Sequence, residues 1–235
     1  MKRTIVLSIL FLMIGVSLSA QTTFAVSQTT TDTAQTRLDT IKTKGSQEID
    51  RRLARLNTLS TKIAAATKLS ATNKAALTTQ VTTEISGLTA LRTTLNAETT
   101  LAAAKTDAQS IISGYRVYAL IVPKVYLVKV ADDQQANEAK VAALIPRLQT
   151  ALTNAKNAGK DTVTLQIQLD DASSKQQAAQ AISSTIESKV INLQPTDYNS
   201  DHTLLSGDRD QLVTARTDLK TAVDDMAAVR DGLKK

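Results

Sequence analysis

The sequence predicts an all-α protein: an elongated, mostly antiparallel helical bundle of about five or six helices with coiled-coil-like packing. Over most of the 235 residues, apolar side chains recur at every third or fourth position, as on one face of an α-helix. Residues 111–130 differ, because there the chain becomes nearly continuously apolar. These two observations indicate amphipathic helices packed around one central apolar element.

Residues 1–25 have the three-part pattern of a secretory signal peptide. Two cations precede an apolar run, residues 5–16, that is too short to span a membrane comfortably, and small residues follow it. Cleavage after Ala25 fits the pattern better than cleavage after Ala20. We therefore expect an exported protein, extracellular or associated with the cell envelope.

The composition narrows the possible partners and chemistry. The chain has no cysteine, which excludes disulfides, thiol chemistry and a lipid-modified cysteine, and with the short leader this suggests a bacterial protein. The formal net charge of +6 falls by two when residues 1–25 are removed. The remaining basic residues are spread among acidic ones without a Lys/Arg run, so a nucleic-acid surface is not expected.

Residues 26–36 are polar and read as a flexible lead-in, and residues 37–235 are expected to form a single domain. The first helical period begins at Leu38 and ends at Ile63, with charged residues on what we expect to be a solvated face. The apolar positions of this period are Leu38, Ile41, Gly45, Ile49, Leu53, Leu56, Leu59 and Ile63.

Ser70 is the expected N-cap of a second helix. The apolar positions of this helix are Leu77, Val81, Ile85, Leu88, Leu91 and Leu95, and many of its other residues are threonines. Threonine is a mediocre helix former, so packing rather than propensity must hold this helix. Residues 96–100 are expected to form a turn, after which residues 101–113 lead into the central stretch.

The central stretch, residues 111–130, admits two interpretations. It is long enough to cross a bilayer, but Arg116, Lys124 and Lys129 would be costly at membrane depth, so a buried bundle helix is favoured. Pro123 removes a backbone donor, which requires either a kink or a helix that ends and restarts there.

Two further helices are expected after the central stretch. Asp132 and Asp133 are expected in the first turn of the next one, Pro146 should bend it, and Gly159 should end it in the left-handed conformation. Its apolar positions are Val141, Leu144, Ile145, Leu148 and Leu152. Residues 161–192 follow, where apolar residues first alternate as in a strand and then continue at helical spacing; we interpret them as one helix.

Residues 193–207 form the one long, turn-rich segment expected within the domain, and a last helix follows it. The apolar positions of that helix are Leu212, Ala215, Leu219, Val223, Met226, Val229 and Leu233.

No catalytic constellation is evident in the sequence. His202 is the single histidine, so one chain cannot supply the usual His/Cys zinc site, and a loop imidazole is expected to be exposed. The adjacent carboxylate pairs diverge by about 100° on a helix, so the two members of a pair cannot share a proton. These pairs are Asp132/Asp133, Asp170/Asp171 and Asp224/Asp225.

One segment has the spacing of calcium ligands. Counting from Asp197, oxygen-bearing side chains stand at positions one, three, five and twelve: Asp197, Asn199, Asp201 and Asp208. This partly resembles the calcium loop of EF-hand proteins. His202 replaces the glycine of the sharp turn and Asp208 replaces the longer glutamate. The alternative is a plain helix connection in which Asp and Asn serve as turn and cap residues.

Two segments resemble those of exported helical proteins of bacteria to which no activity is assigned. They are Tyr115-Arg116-Val117-Tyr118 to Pro123-Lys124, with Asp132 following, and Pro195-x-Asp197-Tyr198-Asn199. The resemblance implies export and a helical fold, and it implies no reaction.

Together these features predict a non-enzymatic exported protein with a binding or scaffolding role at the cell envelope or in the secreted space. Its partner is expected to be a protein or an envelope polymer. One alternative is reversible association of amphipathic helices with a membrane surface, although their polar faces carry as many acids as bases. A second alternative is a calcium-stabilised helical module.

Overall fold

The computed structural model of the protein describes the backbone of residues 4–234 and the side chains of residues 33–234. Within that range the fold is all-α, with six helices of 13 residues or more and one short helix, as predicted. The helices are α1 (Thr4–Ala65), α2 (Ala71–Ala97), α3 (Leu101–Ser113), α4 (Val122–Asn157), α5 (Val163–Ile191), α6 (Pro195–Ser200) and α7 (Asp208–Gly232), and a π-helical turn, Val117–Ile121, precedes α4.

The predicted signal peptide, residues 1–25, lies outside the residues whose side chains are described, so it stays a prediction. Residues 33–36, at the end of the predicted flexible lead-in, are part of α1. The chain groups into two compact units, residues 1–50 with 89–111 and residues 51–88 with 112–235. A single domain over residues 37–235 stays a prediction.

In the described part of the first unit, α1 lies close to the end of α2. A Cβ atom at Gly45 would lie 2.5 Å from Leu95 Cδ2, so a larger residue there would require the Leu95 side chain to move. Two α1 side chains also reach Asn96, near the end of α2. Lys42 Nζ donates to its carbonyl oxygen at 2.9 Å, and Ser46 Oγ donates to its Oδ1 at 3.1 Å. These hydrogen bonds attach the first residue of the predicted turn, residues 96–100, to α1.

The core of the second unit lies among α4, α5 and α7, each of which packs against the other two. Alanines stand seven residues apart on α5 and on α7, which lets these two helices approach closely. The buried members of this core are Val141, Leu152, Leu169, Ala172, Ala179, Ala215, Leu219, Ala222, Met226 and Val229. Along each helix these buried residues are three, four, seven or eleven residues apart, which places them on one face of the helix.

Several local predictions are confirmed. Ser70 Oγ accepts a hydrogen bond from the Asn73 amide at 3.2 Å, as expected of an N-cap. Gly159 has a φ of 83°, the left-handed conformation that ends α4. Helix α5 is continuous, and Val163 and Ile167 are exposed on it, so the strand-like alternation does not correspond to a strand.

The predicted start of the helix after the central stretch is wrong. Helix α4 begins at Val122 with Pro123 in its first turn, so Asp132 and Asp133 lie well inside it. Proline is favoured at this position because its missing amide has no intrahelical acceptor there. Pro146 lies inside the same helix.

The central stretch is not one helix. Helix α3 ends at Ser113, Arg116 adopts a left-handed conformation, and the π-helical turn leads into α4. By length and composition, one described stretch, Leu101–Asn157, is apolar enough to cross a membrane, and 39% of its most apolar window is buried. Core helices pass the same test. The burial of Val117, Leu120 and Ile121 favours the core interpretation.

Candidate functional site

The junction between α3 and α4 is organised around Arg116. Its φ of 43° is unfavourable for a residue with a Cβ atom, by about 1–2 kcal/mol. Arg116 Nε donates to Asn199 Oδ1 at 2.6 Å, and Asn199 Nδ2 donates to the Ser113 carbonyl at 2.8 Å. The guanidinium also lies 5.7 Å from the centre of the Tyr198 ring. These contacts offset the backbone strain and fix the junction to α6.

A buried lysine, Lys124, lies eight residues further along the chain, in the first turn of α4. The Lys124 side chain is 1% exposed, and its Nζ donates to the Leu193 carbonyl at 2.9 Å. Burial lowers the pKa of Lys124 to about 8, and the nearby carboxylates of Glu84 and Asp197 oppose that shift. Burial also raises the pKa of Glu84 to about 7, which Lys124 in turn opposes. The structure therefore places two ionisable groups with displaced pKa values near each other.

Tyr115 completes this junction on the side of α2. A Cβ atom at Gly87 would lie 2.7 Å from Tyr115 Cε1, so the absent side chain of Gly87 makes room for the ring. Burial raises the pKa of Tyr115, and the Glu84 carboxylate raises it further. Displaced pKa values also occur at catalytic sites. Here Lys124 is buried and bonded to a carbonyl, an arrangement that fixes the chain rather than presenting a reactive amine to solvent.

Residues 115–124 and 195–199 meet at this junction. Arg116 contacts Asn199 and Tyr198, and Lys124 lies near Asp197. Asp132, further along α4, is buried and accepts from the Ser70 amide at 2.8 Å and from Asn73 Nδ2 at 3.0 Å. These residues are therefore explained by their part in joining α2, α4 and α6.

The four residues of the predicted calcium loop have other partners. Asp197 Oδ2 accepts from the Gln194 amide at 2.8 Å, which caps α6, and Asn199 binds Arg116. Asp201 Oδ1 accepts from the Thr203 amide at 2.8 Å, while Asp208 Oδ1 accepts from Lys189 Nζ at 2.7 Å. Among the described residues, no three acidic or histidine side chains form a group that could hold a metal ion. Calcium binding stays a prediction, without support from this geometry.

His202 is exposed, with its ring centre 5.1 Å from that of Tyr198. The members of each adjacent Asp pair diverge along one helix, but two of these aspartates approach each other across two helices. The carboxylates of Asp171 on α5 and Asp225 on α7 lie near each other. Burial raises the pKa of Asp225, and its carboxylate neighbour Asp171 raises it further. Sequence spacing gave no signal for this pair, because it depends on how α5 and α7 pack.

The main surface feature of the second unit is a row of three cavities between α4 and α7, which we call the α4–α7 groove. The largest has a volume of about 500 Å³, and the other two have volumes of about 230 and 280 Å³. On the α4 side the cavities are lined by Pro123, Tyr126, Leu127, Val130, Asp133, Gln134, Asn137, Val141, Leu144, Arg147 and Leu148. On the α7 side they are lined by Arg209, Leu212, Val213, Arg216, Leu219, Val223, Met226, Ala227 and Arg230, with Leu205 before that helix.

Large apolar side chains are exposed along this groove. Val213 is 58% exposed, and Tyr126 and Val130 are also exposed. Leu144 and Val223, both predicted to be core residues, are 44% and 47% exposed. The periodicity correctly assigns both residues to the apolar face of their helices. The neighbouring helices bury only part of that face, and these two residues lie on the uncovered part.

The groove is also basic. Arg147, Arg209 and Arg216 are exposed, and no described carboxylate forms an ion pair with any of them. Arg230 differs, because its guanidinium binds Asp231 at 3.0 Å. An apolar floor with unpaired arginines at its edges can bind a partner that is apolar in the middle and acidic at its margins.

A polar network fixes the floor of the groove. Gln134 Nε2 donates to the Leu212 carbonyl at 2.8 Å, which ties α4 to α7. Ser183 Oγ lies 3.0 Å from Gln134 Oε1 and 2.8 Å from Glu138 Oε1. Burial raises the pKa of Glu138. A buried network of this kind holds the helices in one register.

Comparison with protein-family models, with curated proteins and with solved structures finds no match to this chain.

Proposed function

We propose that the protein is a non-enzymatic, exported helical protein that binds or scaffolds at the cell envelope or in the secreted space. The observation that carries this proposal is the α4–α7 groove, a largely apolar surface that solvent reaches. Exposed apolar patches of this kind typically mark interaction sites. Export is supported by the signal-peptide pattern in residues 1–25.

The buried junction supports a binding role rather than a catalytic one. Its ionisable groups are used within the fold: Lys124 bonds the Leu193 carbonyl, and Asp132 bonds Ser70 and Asn73. The groove, by contrast, offers apolar side chains and guanidinium groups, which supply affinity and orientation.

Co-sedimentation of the mature chain with isolated cell envelopes, at low and at high salt, tests the proposal. We expect the protein to pellet with envelopes at low salt. Pelleting that persists at high salt would indicate that the apolar floor dominates, and pelleting lost at high salt would indicate that the arginines dominate. Protein that stays in the supernatant under both conditions would exclude an envelope partner.

Reversible association with a membrane surface is the second candidate, supported by exposed Tyr126, Val130 and Val213 beside basic residues. It requires that anionic lipid vesicles bind the protein in the absence of any envelope protein. Circular dichroism with and without vesicles of phosphatidylglycerol tests this. If the spectrum does not change and the protein does not sediment with the vesicles, membrane association is excluded.

A further inference from the structure

We infer that the α4–α7 groove receives an acidic amphipathic helix from another protein, which packs along α4 and α7 as an additional helix. This inference rests on the proposed binding function and names the class of partner. Three independent features of the groove carry it: its periodicity, its charge and one polar position.

The first feature is the periodicity of the residues that line the groove. On α4, eight of them follow steps of four and three residues: Pro123, Leu127, Val130, Gln134, Asn137, Val141, Leu144 and Leu148. On α7, Arg209, Arg216, Val223 and Arg230 stand seven residues apart. These residues therefore lie along one continuous face of each helix, over which a partner helix with its own three- and four-residue repeat can pack.

The length of the groove fits a helix. From residue 123 to residue 148 of α4 the lining covers 25 steps, or about 38 Å at 1.5 Å per residue. A partner helix of roughly 25 residues, between three and four heptads, would cover it. Its apolar side chains would enter the three cavities in turn.

The second feature is charge. Arg147, Arg209 and Arg216 stand at the edges of the groove, where flanking residues of a packed helix would face them. A helix with Glu or Asp at its flanking positions would form ion pairs with all three. A second copy of this chain that docked through the same groove would bring the same arginines together, so the charge disfavours that arrangement.

The third feature is Asn137, which lies near the middle of the groove and is half-buried. No side-chain hydrogen bond to its amide is present within residues 33–234, whereas neighbouring Gln134 is bonded to Leu212. A single polar residue in an apolar helix seam fixes the register of the partner. We therefore expect a polar side chain on the partner opposite Asn137.

The probe for this inference is a synthetic 28-residue peptide of four heptads. It carries Leu and Ile at the core positions, one Asn opposite Asn137 and Glu at all flanking positions; its glutamates repel one another, which keeps the free peptide largely monomeric. A second peptide replaces each flanking Glu with Lys. Fluorescence anisotropy with the full mature chain measures affinity, and circular dichroism measures helix formation.

We expect the Glu peptide to bind at least tenfold more tightly than the Lys peptide and to gain helicity on binding. Val213→Gln should weaken binding at least tenfold. Ile167→Gln, which alters a similarly exposed residue on α5, should leave it unchanged. The double variant Arg209→Glu/Arg216→Glu should invert the preference between the two peptides. Thermal melts of the variants check that each is folded.

Three results would overturn the inference: no binding of either peptide, equal binding of both, or binding that Val213→Gln does not change. Groove-dependent binding to phosphatidylglycerol vesicles without binding of the Glu peptide would assign the surface to lipid instead. Self-association abolished by Val213→Gln would assign it to a second copy. In each of these cases envelope pelleting can still occur, so failure of the inference is distinguishable from failure of the proposed function.

Discussion

At the scale of single residues, the second unit contains charged groups in places where charge is unfavourable. Glu84 is 7% exposed and Lys124 is 1% exposed. Burial raises the pKa of Glu84 to about 7 and lowers the pKa of Lys124 to about 8. Glu84 is not distinctive in the sequence, because a glutamate within a helical period usually lies on a solvated face. Lys124 stands out as a cation within the apolar stretch 111–130, but the sequence does not show that Glu84 lies beside it. Arg52 is another charged residue whose burial the helical period does not reveal. It was expected on a solvated face, but it is 6% exposed, with its guanidinium 5.3 Å from the Tyr118 ring centre.

The displaced pKa of Glu84 predicts how stability depends on pH. Between pH 4.5 and about 7, the folded protein binds more protons at Glu84 than the unfolded chain does, so the free energy of unfolding falls as pH rises. Between about pH 8 and 10.5 the unfolded chain binds more protons at Lys124, so stability increases again. The contribution of this pair to stability is therefore lowest between about pH 7 and 8.

Urea unfolding of Glu84→Gln at a series of pH values checks this. The native protein should lose stability between about pH 5 and 7, and Glu84→Gln should lose less over the same interval, by up to about 3 kcal/mol. Some decline should remain in the variant, because burial also raises the pKa of Glu138. Equal declines in both proteins would contradict the assignment.

At the scale of helices, local signals fix most boundaries and long-range contacts fix the rest. The Ser70 cap and the Gly159 end could be predicted because each depends on residues within one turn, and the helix start at Pro123 was one of two alternatives that the sequence left open. The role of Asp132 could not, because it depends on α4 passing the start of α2. The break at Arg116 was also missed, since its partners Asn199 and Tyr198 lie some eighty residues away in sequence.

Asp132 provides a test of these long-range caps. Asp132→Ala should lower the free energy of unfolding by about 1–3 kcal/mol, because it leaves the Ser70 amide and Asn73 Nδ2 without this carboxylate. Asp133→Ala is the matched control. Its carboxylate pairs with Lys129 at a partly exposed site, so the expected loss is below about 1 kcal/mol. If chemical denaturation gives the same loss of unfolding free energy for both variants, the hydrogen bonds of Asp132 to the start of α2 do not contribute the expected stability.

At the scale of the whole molecule, periodicity was enough to predict an all-α bundle, because an apolar residue every three or four positions requires a buried helix face. Periodicity did not predict the groove. An apolar stripe marks a face that can be buried, but only the packing shows how much of that face the other helices cover. Leu144 and Val223 have the same spacing as buried neighbours and are nevertheless exposed.

The central claim is that this exposed face binds a partner, and two matched variants test it most directly. Val213→Gln places an amide in the groove, whereas Ile167→Gln makes the same change on α5 at a residue of similar exposure, 65% against 58%. Both variants should melt close to the native temperature, because neither side chain is in the core.

The measurement is co-sedimentation of the native chain and both variants with isolated envelopes at low salt. We predict that the native chain and Ile167→Gln pellet equally, and that Val213→Gln leaves most of its protein in the supernatant. Val213→Gln that pellets as well as the native chain would contradict the account, because the α4–α7 groove would then not be the surface that binds.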